Sequence, residues 1–270
     1  MPTISRSTTV RPPAVAGLFY AGEAQRLQAD IGKFLANVPA GGAAPKALIA
    51  PHAGYIYSGQ VAATAFASVK NRVVKRVVLI GPAHYVRVAG IAVPTAEAFD
   101  TPLGRVLVDQ DGLAAIADLP FVSRNDAAHA PEHALEVELP FLQTIVGTFT
   151  LVPLLVGDAT PQQVSEALGR LWGGADTLVV VSSDLSHYLD YETARRRDAA
   201  TAATIERGDW GSLGPNDACG FLPISGLLKE ASRRGLNARR LTLCNSGDTA
   251  GPRDSVVGYG AWIFAEAGAA

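Results

Sequence analysis

Two kinds of apolar pattern alternate along this 270-residue chain. In one kind, apolar residues follow one another without interruption, which is typical of strands buried on both faces of a sheet. In the other kind they recur every three to four positions, as Leu27, Ile31 and Phe34 do, which predicts a helix with one buried face. The strand-like stretches are 47–50, 75–81, 90–94, 104–109, 149–157, 176–184, 239–245 and 255–265, and the helix-like stretches are 27–38, 59–69, 133–146, 160–172, 191–206 and 223–234.

This alternation of strands and helices predicts an α/β fold. Because the strands are rich in uninterrupted Val, Ile and Leu, we expect a mainly parallel central sheet flanked by helices on both faces. No internal repeat, low-complexity tract or linker interrupts the pattern, so residues 1–270 are predicted to form a single domain. A chain of this length with 48% hydrophobic residues can bury a substantial core.

Charge and cysteine content narrow the classes of partner and compartment. With 23 basic and 25 acidic residues and no basic stripe, the chain is not expected to bind nucleic acid or an anionic membrane. Its two cysteines form no CxxC pair, and no apolar run approaches the ~20 residues that span a bilayer. The first residues lack the apolar stretch of a signal peptide. We therefore expect a soluble, cytoplasmic protein.

Three of the five histidines share one position in this pattern, just beyond the end of a buried strand. His52 follows "ALIAP", His84 follows "VVLIGPA" and His187 follows "LVVVSSDLS". Ligands of open α/β sheets bind in the crevice outside the carboxyl ends of the strands, so these side chains are predicted to converge in one pocket. Imidazole suits Fe, Zn and Cu, and the pattern predicts a metal site. Two histidines with a carboxylate would suit Fe(II), whereas three histidines would suit zinc with one open position.

Three further residues are candidates for chemistry in that pocket. Asp184 is the carboxylate nearest to a strand-end histidine, and could bind the metal, orient a histidine or simply cap a turn. Glu132 and His133 are expected at the start of a helix, where they could act as general acid and base, or serve as a helix cap and an exposed side chain. His129 has no such context and is predicted to lie in a surface loop.

Tyrosines and glycines accompany the strand ends. Tyr55, Tyr57 and Tyr85 could wall a pocket for a flat organic ligand, with core packing as the alternative. Gly54 and Gly81 are expected to allow sharp turns there. The chain has no GxxxxGK[ST] loop, GxGxxG or GxSxG, which argues against nucleotide binding through these loops and against an α/β-hydrolase.

Several segments together resemble a known family. These are "VAGLFYAG", "APHAGYIYSG", "LIGPAHY", "EHALEVELPF", "VVSSDLSHY" and "NSGD…DSVVGYGAW", which extend over about residues 14–265. Their order is similar to that of the Memo-like family, whose bacterial members are called AmmeMemoRadiSam system protein B. The resemblance implies a single Memo-like domain with a fold related to class III extradiol dioxygenases, which are non-haem Fe(II) enzymes that open aromatic rings.

The resemblance also implies site residues, a cofactor and partners. His52, His84 and His187 match pocket histidines of the family, while Asp184, Glu132 and His133 match further pocket positions. Fe(II) is the first expectation, with Cu or Zn and a metal-free pocket as alternatives. The family name implies AMMECR1-like and radical-SAM proteins as partners.

The sequence differs from these related proteins at two positions that could supply metal ligands. In animal Memo proteins a cysteine near the C-terminal end joins the first two histidines, and the matching position here is closer to Thr249 than to Cys244. His187, Asp184, Asp248 and Cys244 remain alternatives for the third ligand, while Cys219 is expected in a pocket wall or as a buried apolar residue. The third-ligand glutamate of extradiol dioxygenases has no clear counterpart. These candidate residues leave two functions open. One is a dioxygenase-like enzyme, and the other is a non-catalytic binding module for a ligand, peptide or metal.

Overall fold

The structure, a computed structural model, describes residues 9–38 and 45–266. Its strands are β1 (Val10–Arg11), β2 (Ala47–Ala50), β3 (Arg76–Pro82), β4 (Ile91–Val93), β5 (Ala98–Thr101), β6 (Gly104–Val108), β7 (Val122–Arg124), β8 (Thr150–Val156), β9 (Thr177–Ser182), β10 (His187–Leu189), β11 (Leu236–Asn245) and β12 (Val256–Glu266). Its α-helices are α1 (Ala24–Ala36), α2 (Tyr55–Ala67), α3 (Gln110–Ala114), α4 (Asp126–His129), α5 (Leu139–Val146), α6 (Pro161–Leu171), α7 (Tyr191–Glu206) and α8 (Phe221–Arg233). Short 3₁₀ turns lie at Glu136–Glu138 and Ser246–Asp248.

These strands form one 12-stranded sheet, with the path β1-β5-β6-β8-β3-β9-β2-β12-β10. The central run β8-β3-β9-β2 is parallel throughout. Antiparallel pairs occur where β12 contacts β2, β10 and β11, and also between β5 and β6 and between β4 and β8. The predicted α/β fold with a mostly parallel central sheet is confirmed.

The central strands explain the uninterrupted apolar runs. Every residue of β2 and β9 is buried, and neighbouring residues of a strand point to opposite faces of the sheet. Both faces of this part of the sheet are therefore covered. Helix α2 packs against β2 and β12, and α8 packs against β3 and β9. Among the helices of the described ranges, none combines the length and the apolar composition that crossing a membrane requires.

The region before α5 differs from its prediction. The sequence pattern predicts a helix from residue 133, but the chain makes a turn, then the 3₁₀ turn Glu136–Glu138, and only then α5. Pro140 explains the boundary because proline has no N–H to donate and fits an α-helix only in its first turn. Glu132 and His133 consequently lie ahead of the helical segment rather than at its first turn, and that prediction was wrong.

Parallel pairing places the carboxyl ends of β2, β3 and β9 along one edge of the sheet. Strand β9 lies between the other two. His52, His84 and Asp184 each follow one of these strands by two residues. The predicted convergence of strand-end side chains follows directly from this order.

Candidate functional site

Three imidazoles cluster at this edge of the sheet. Ring nitrogens of His52, His84 and His133 all lie within 4.8 Å of one another, which is close enough for one metal ion to contact all three. Their ring centroids are 5.2 Å apart for His52 and His84, 5.3 Å for His52 and His133, and 4.7 Å for His84 and His133. The turn that replaces the predicted helix start carries His133 into this group.

His187 shares the cavity but not the cluster. It lies on β10 and lines the same cavity as the three clustered histidines. Its Nδ1 is 2.8 Å from the carbonyl oxygen of Leu185, so Nδ1 carries the proton and Nε2 is left free. The structure thus brings together two of the three predicted metal ligands with His133, which the sequence predicted as an acid or base. The prediction that His187 binds metal stays a prediction.

Glu132 holds His84 and the turn that follows it. Its carboxylate accepts hydrogen bonds from the backbone N–H of His84 at 2.6 Å, from Nδ1 of His84 at 2.8 Å, and from the backbone N–H groups of His133 and Ala134 at 3.0 Å. Burial would raise the pKa of this carboxyl, but its contacts with the ring and backbone N–H of His84 and with the backbone N–H of Ala134 lower it to about 2. Glu132 therefore stays charged and fixes Nδ1 of His84 as a donor, which leaves Nε2 of His84 free.

His52 is held in a similar way by different partners. Its backbone N–H donates to Oδ1 of Asp184 at 2.9 Å, and its Nδ1 lies 2.8 Å from Oγ of Ser182. Because Asp184 accepts this backbone N–H, it positions the backbone of His52, and orienting a histidine is one of the roles predicted for it. Burial raises the pKa of the Asp184 carboxyl.

The cluster is electrostatically suited to a metal ion. Burial, followed by the nearby charge of His84, lowers the pKa of His52 to about 3. Burial, followed by the nearby charge of His52, lowers the pKa of His133 to about 4. Both imidazoles are neutral near pH 7, and neutral imidazole is the form that binds metal. The donor set therefore fits a metal that prefers nitrogen ligands.

A thiol borders this cluster. The Sγ atom of Cys219 lies 3.4 Å from Nε2 of His52 and 3.6 Å from the carbonyl oxygen of Asp184, and the residue lines the cavity. Burial raises the pKa of this thiol to about 12. Its place in the cavity wall agrees with the sequence prediction, but its closeness to His52 was missed. The sequence carries no signal for this closeness, because it depends on how α8, which follows the "ACG" segment, packs on β3 and β9.

The other proposed ligands near the C-terminal end lie elsewhere. The Asp248 carboxylate accepts hydrogen bonds from the Tyr191 hydroxyl at 2.5 Å and from the backbone N–H of Asn245 at 3.1 Å. Ser246 and Gly251 line the cavity, whereas Cys244 and Asp248 do not. Their geometry offers no support for either as the third ligand.

The cavity around the cluster is large and rich in aromatic side chains. Its volume is about 960 Å³. Tyr188 lines it with the uncommon backbone angle φ = 59°, a conformation that costs energy for a tyrosine. Tyr55 does not line the cavity: it is buried in the core, where its hydroxyl donates to the carbonyl oxygen of Val137 at 2.8 Å. The aromatic lining residues are Phe19, Tyr57, Tyr85, Tyr188 and Tyr259.

His129 is a core residue, so the prediction of a surface loop was wrong. It ends α4, only 2% of its surface is exposed, and its Nε2 lies 3.1 Å from the carbonyl oxygen of Ala92. Burial lowers the pKa of His129 to about 4. A four-residue helix leaves no periodic pattern from which this burial could have been predicted.

Comparison with known proteins places the chain in a family. A family model described as Memo-like protein matches residues 11–263. A MEMO1 family protein of Aquifex aeolicus is 34% identical over 267 residues, covering 94% of this chain and 99% of that protein. A MEMO1 family protein of Pyrobaculum aerophilum is also 34% identical, with the same coverage. The chain belongs to the Memo-like protein family.

One solved structure is similar at a lower level. It is that of an uncharacterized protein, JW3007, from Escherichia coli K12. It is 14% identical with a TM-score of 0.49, and the match covers 80% of this chain and 98% of that one. A likeness of this degree carries no functional information.

Proposed function

We propose that this protein binds a metal ion through His52, His84 and His133 and presents it to a small organic molecule in the adjoining cavity. The single observation that carries the proposal is the cluster of ring nitrogens within 4.8 Å of one another. Two of the three rings, those of His52 and His84, have Nδ1 in a hydrogen bond with Ser182 or Glu132, so Nε2 is the nitrogen of each that can bind a metal; in His52 it lies 3.4 Å from the Cys219 thiol. Fixing a ligand histidine through its other ring nitrogen is the usual device of metal sites.

Fe(II) remains the metal that we propose first, with Cu and Zn as alternatives. All three accept imidazole ligands. A metal at this position would act as a Lewis acid toward a bound oxygen atom. The clustered group contains no carboxylate, so it differs from the two-histidine, one-carboxylate arrangement of many Fe(II) oxygenases. Asp184 supports His52 through the backbone instead.

We propose a small aromatic or heteroaromatic molecule as the ligand. The aromatic lining of the cavity supports this, because flat rings stack favourably on aromatic side chains. In a dioxygenase-like reaction, a general base near the metal would take a proton from the ligand. With His133 in the cluster, His187 is the cavity histidine left free for that role, since its Nε2 makes no hydrogen bond to any of the described residues.

A matched pair of variants tests which histidine completes the site. The protein is purified without oxygen, loaded with Fe(II), Zn(II) or Cu(II), and analysed for metal content. His133→Ala is expected to lose metal, as is the double variant His52→Ala/His84→Ala. His187→Ala, which changes another imidazole of the same cavity, is expected to retain it. Loss in His187→Ala with retention in His133→Ala would restore His187 as the ligand, and wild-type protein that takes up no metal would refute the proposal.

A non-catalytic binding module is the second candidate, favoured by the missing carboxylate in the cluster. In that case the pocket binds a ligand, a peptide or a metal without turnover, and the protein works together with AMMECR1-like and radical-SAM partners. A screen of catechols with the Fe(II)-loaded protein, run beside a pull-down with those partners, separates the candidates. Ring opening that disappears in His187→Ala would favour the enzyme. Partner capture without turnover would favour the module.

A further inference from the structure

A buried carboxyl group lies behind the three clustered histidines and does not line the cavity. Glu138, in the 3₁₀ turn before α5, is completely buried. Its Oε1 is 2.7 Å from Oγ of Ser182, the last residue of β9. The same Oγ is 2.8 Å from Nδ1 of His52 and 2.6 Å from the carbonyl oxygen of Ala134. Ser182 therefore contacts three polar atoms at once.

Counting donors determines how these contacts are made. A serine hydroxyl has one proton to donate and two lone pairs that accept. The carbonyl oxygen of Ala134 can only accept, and at 2.6 Å it needs the Ser182 proton between the two oxygens. Both remaining partners must then donate to Ser182. His52 consequently carries its proton on Nδ1, and Glu138 carries a proton on Oε1.

The surroundings of Glu138 agree with a protonated acid. Burial raises the pKa of its carboxyl well above the usual range; it outweighs the hydrogen bond with Ser182, which acts to lower the pKa, and the nearby charge of Asp184 adds to the rise. Its Oε2 has no hydrogen-bond partner among the described residues. A buried carbonyl-type oxygen without a partner costs far less than a buried charged carboxylate would.

We propose that Glu138 is a neutral carboxylic acid that positions His52 for metal binding through Ser182. The acid donates to Ser182, Ser182 donates to Ala134, and His52 is thereby held with Nδ1 protonated and Nε2 available. Nε2 is the nitrogen next to the thiol of Cys219 at the cavity wall. This inference rests on the proposed metal site for its purpose, although the arrangement of protons can be measured without metal.

Two substitutions separate the hydrogen-bond role from filling of space. Glu138→Leu removes the donor to Ser182 and keeps an apolar side chain of similar size. Glu138→Gln keeps a neutral donor, because its amide N–H can replace the acid O–H. Affinity for Co(II) and Zn(II) is measured by competition with a chelating dye. Glu138→Leu is expected to bind about 10- to 100-fold more weakly than wild type, as for other residues that orient a ligand histidine. Glu138→Gln should restore most of that affinity.

Measurements on the metal-free wild-type protein keep the proposal testable if Glu138→Leu does not fold. Infrared difference spectra of wild type against Glu138→Gln should show the C=O stretch of a protonated carboxyl group at pH 7. Nitrogen NMR of histidine-labelled protein, with the His52 signals assigned from His52→Gln, should show the proton on Nδ1.

These measurements distinguish failure of the role proposed for Glu138 from failure of the proposed metal-binding function. A carboxylate band at pH 7, a His52 proton on Nε2, or equal loss of affinity in Glu138→Gln and Glu138→Leu would overturn the role of Glu138. If wild type binds no metal but the band and the His52 proton are as expected, the proposed function fails while the hydrogen-bond arrangement stands.

Discussion

The buried His129 should make the stability of the fold depend on pH. In the folded protein its pKa is about 4, against 6.5 in an unfolded chain, because burial disfavours the charged ring. Between pH 4 and pH 6.5, His129 binds a proton in the unfolded chain but not in the folded protein, so protonation stabilises the unfolded state. The contribution of neutral His129 to the free energy of unfolding is therefore fully present above pH 6.5 and is lost progressively as the pH falls toward 4.

The size of this effect follows from the two pKa values. At 1.36 kcal/mol per pH unit, the gap between 6.5 and about 4 corresponds to roughly 3 kcal/mol, of which about 2 kcal/mol is lost by pH 5. Because only 2% of the side-chain surface is exposed, solvent screens this effect little. The loss is a large fraction of the 5–15 kcal/mol that typically stabilises a domain.

Urea unfolding at pH 8, 6 and 5, on wild type and His129→Gln, measures this loss. Glutamine does not titrate, and its amide N–H can still donate to the carbonyl oxygen of Ala92. The free energy of unfolding of wild type should fall by about 2 kcal/mol more than that of His129→Gln between pH 8 and pH 5. Parallel pH profiles for the two proteins would refute the reasoning, because buried carboxyl groups and other histidines are common to both.

Two further predictions concern the site and the packing of the helices. Glu132→Gln removes the charge that holds His84, so metal affinity should fall about 10-fold or more in a competition titration, and unchanged affinity would contradict this role. Gly226→Ala places a methyl group 2.2 Å from Val164 and should lower the free energy of unfolding by roughly 1–3 kcal/mol in urea. Gly32→Ala is the control, because nothing lies within 4 Å of the added methyl group, and it should raise the free energy of unfolding by up to about 1 kcal/mol. Equal effects of the two substitutions would argue against close packing of α6 on α8.

The edge of the sheet that carries the site could be predicted because it depends on short-range information. Uninterrupted apolar runs identify β2, β3 and β9, and the residue that ends each run is visible in the sequence. Parallel pairing then requires His52, His84 and Asp184 to lie at the same edge. No detail of packing is needed for that step.

The choice of the third imidazole could not be predicted, because it depends on how the chain turns before Pro140. A helix from residue 133 would have oriented His133 differently from the turn that is present. The placement of Cys219 depends on how α8 docks on the sheet, and the burial of His129 depends on a four-residue helix. Each of these outcomes is decided by contacts between segments distant in sequence, which periodicity does not report.

The position of β9 between β2 and β3 has a consequence for how the protein folds. Strands β2 and β3 are neighbours along the chain, yet they do not pair, and β9 arrives from about 100 residues later to fill the gap. The hydrogen bond from His52 to Asp184 closes a sequence separation of 132 residues. Contacts of such long range are slow to form because loop closure costs entropy before they contribute stability. His52 and His84 can therefore come together only when β9 has inserted between their strands, so uptake of metal at the proposed site would mark the completion of folding in this molecule.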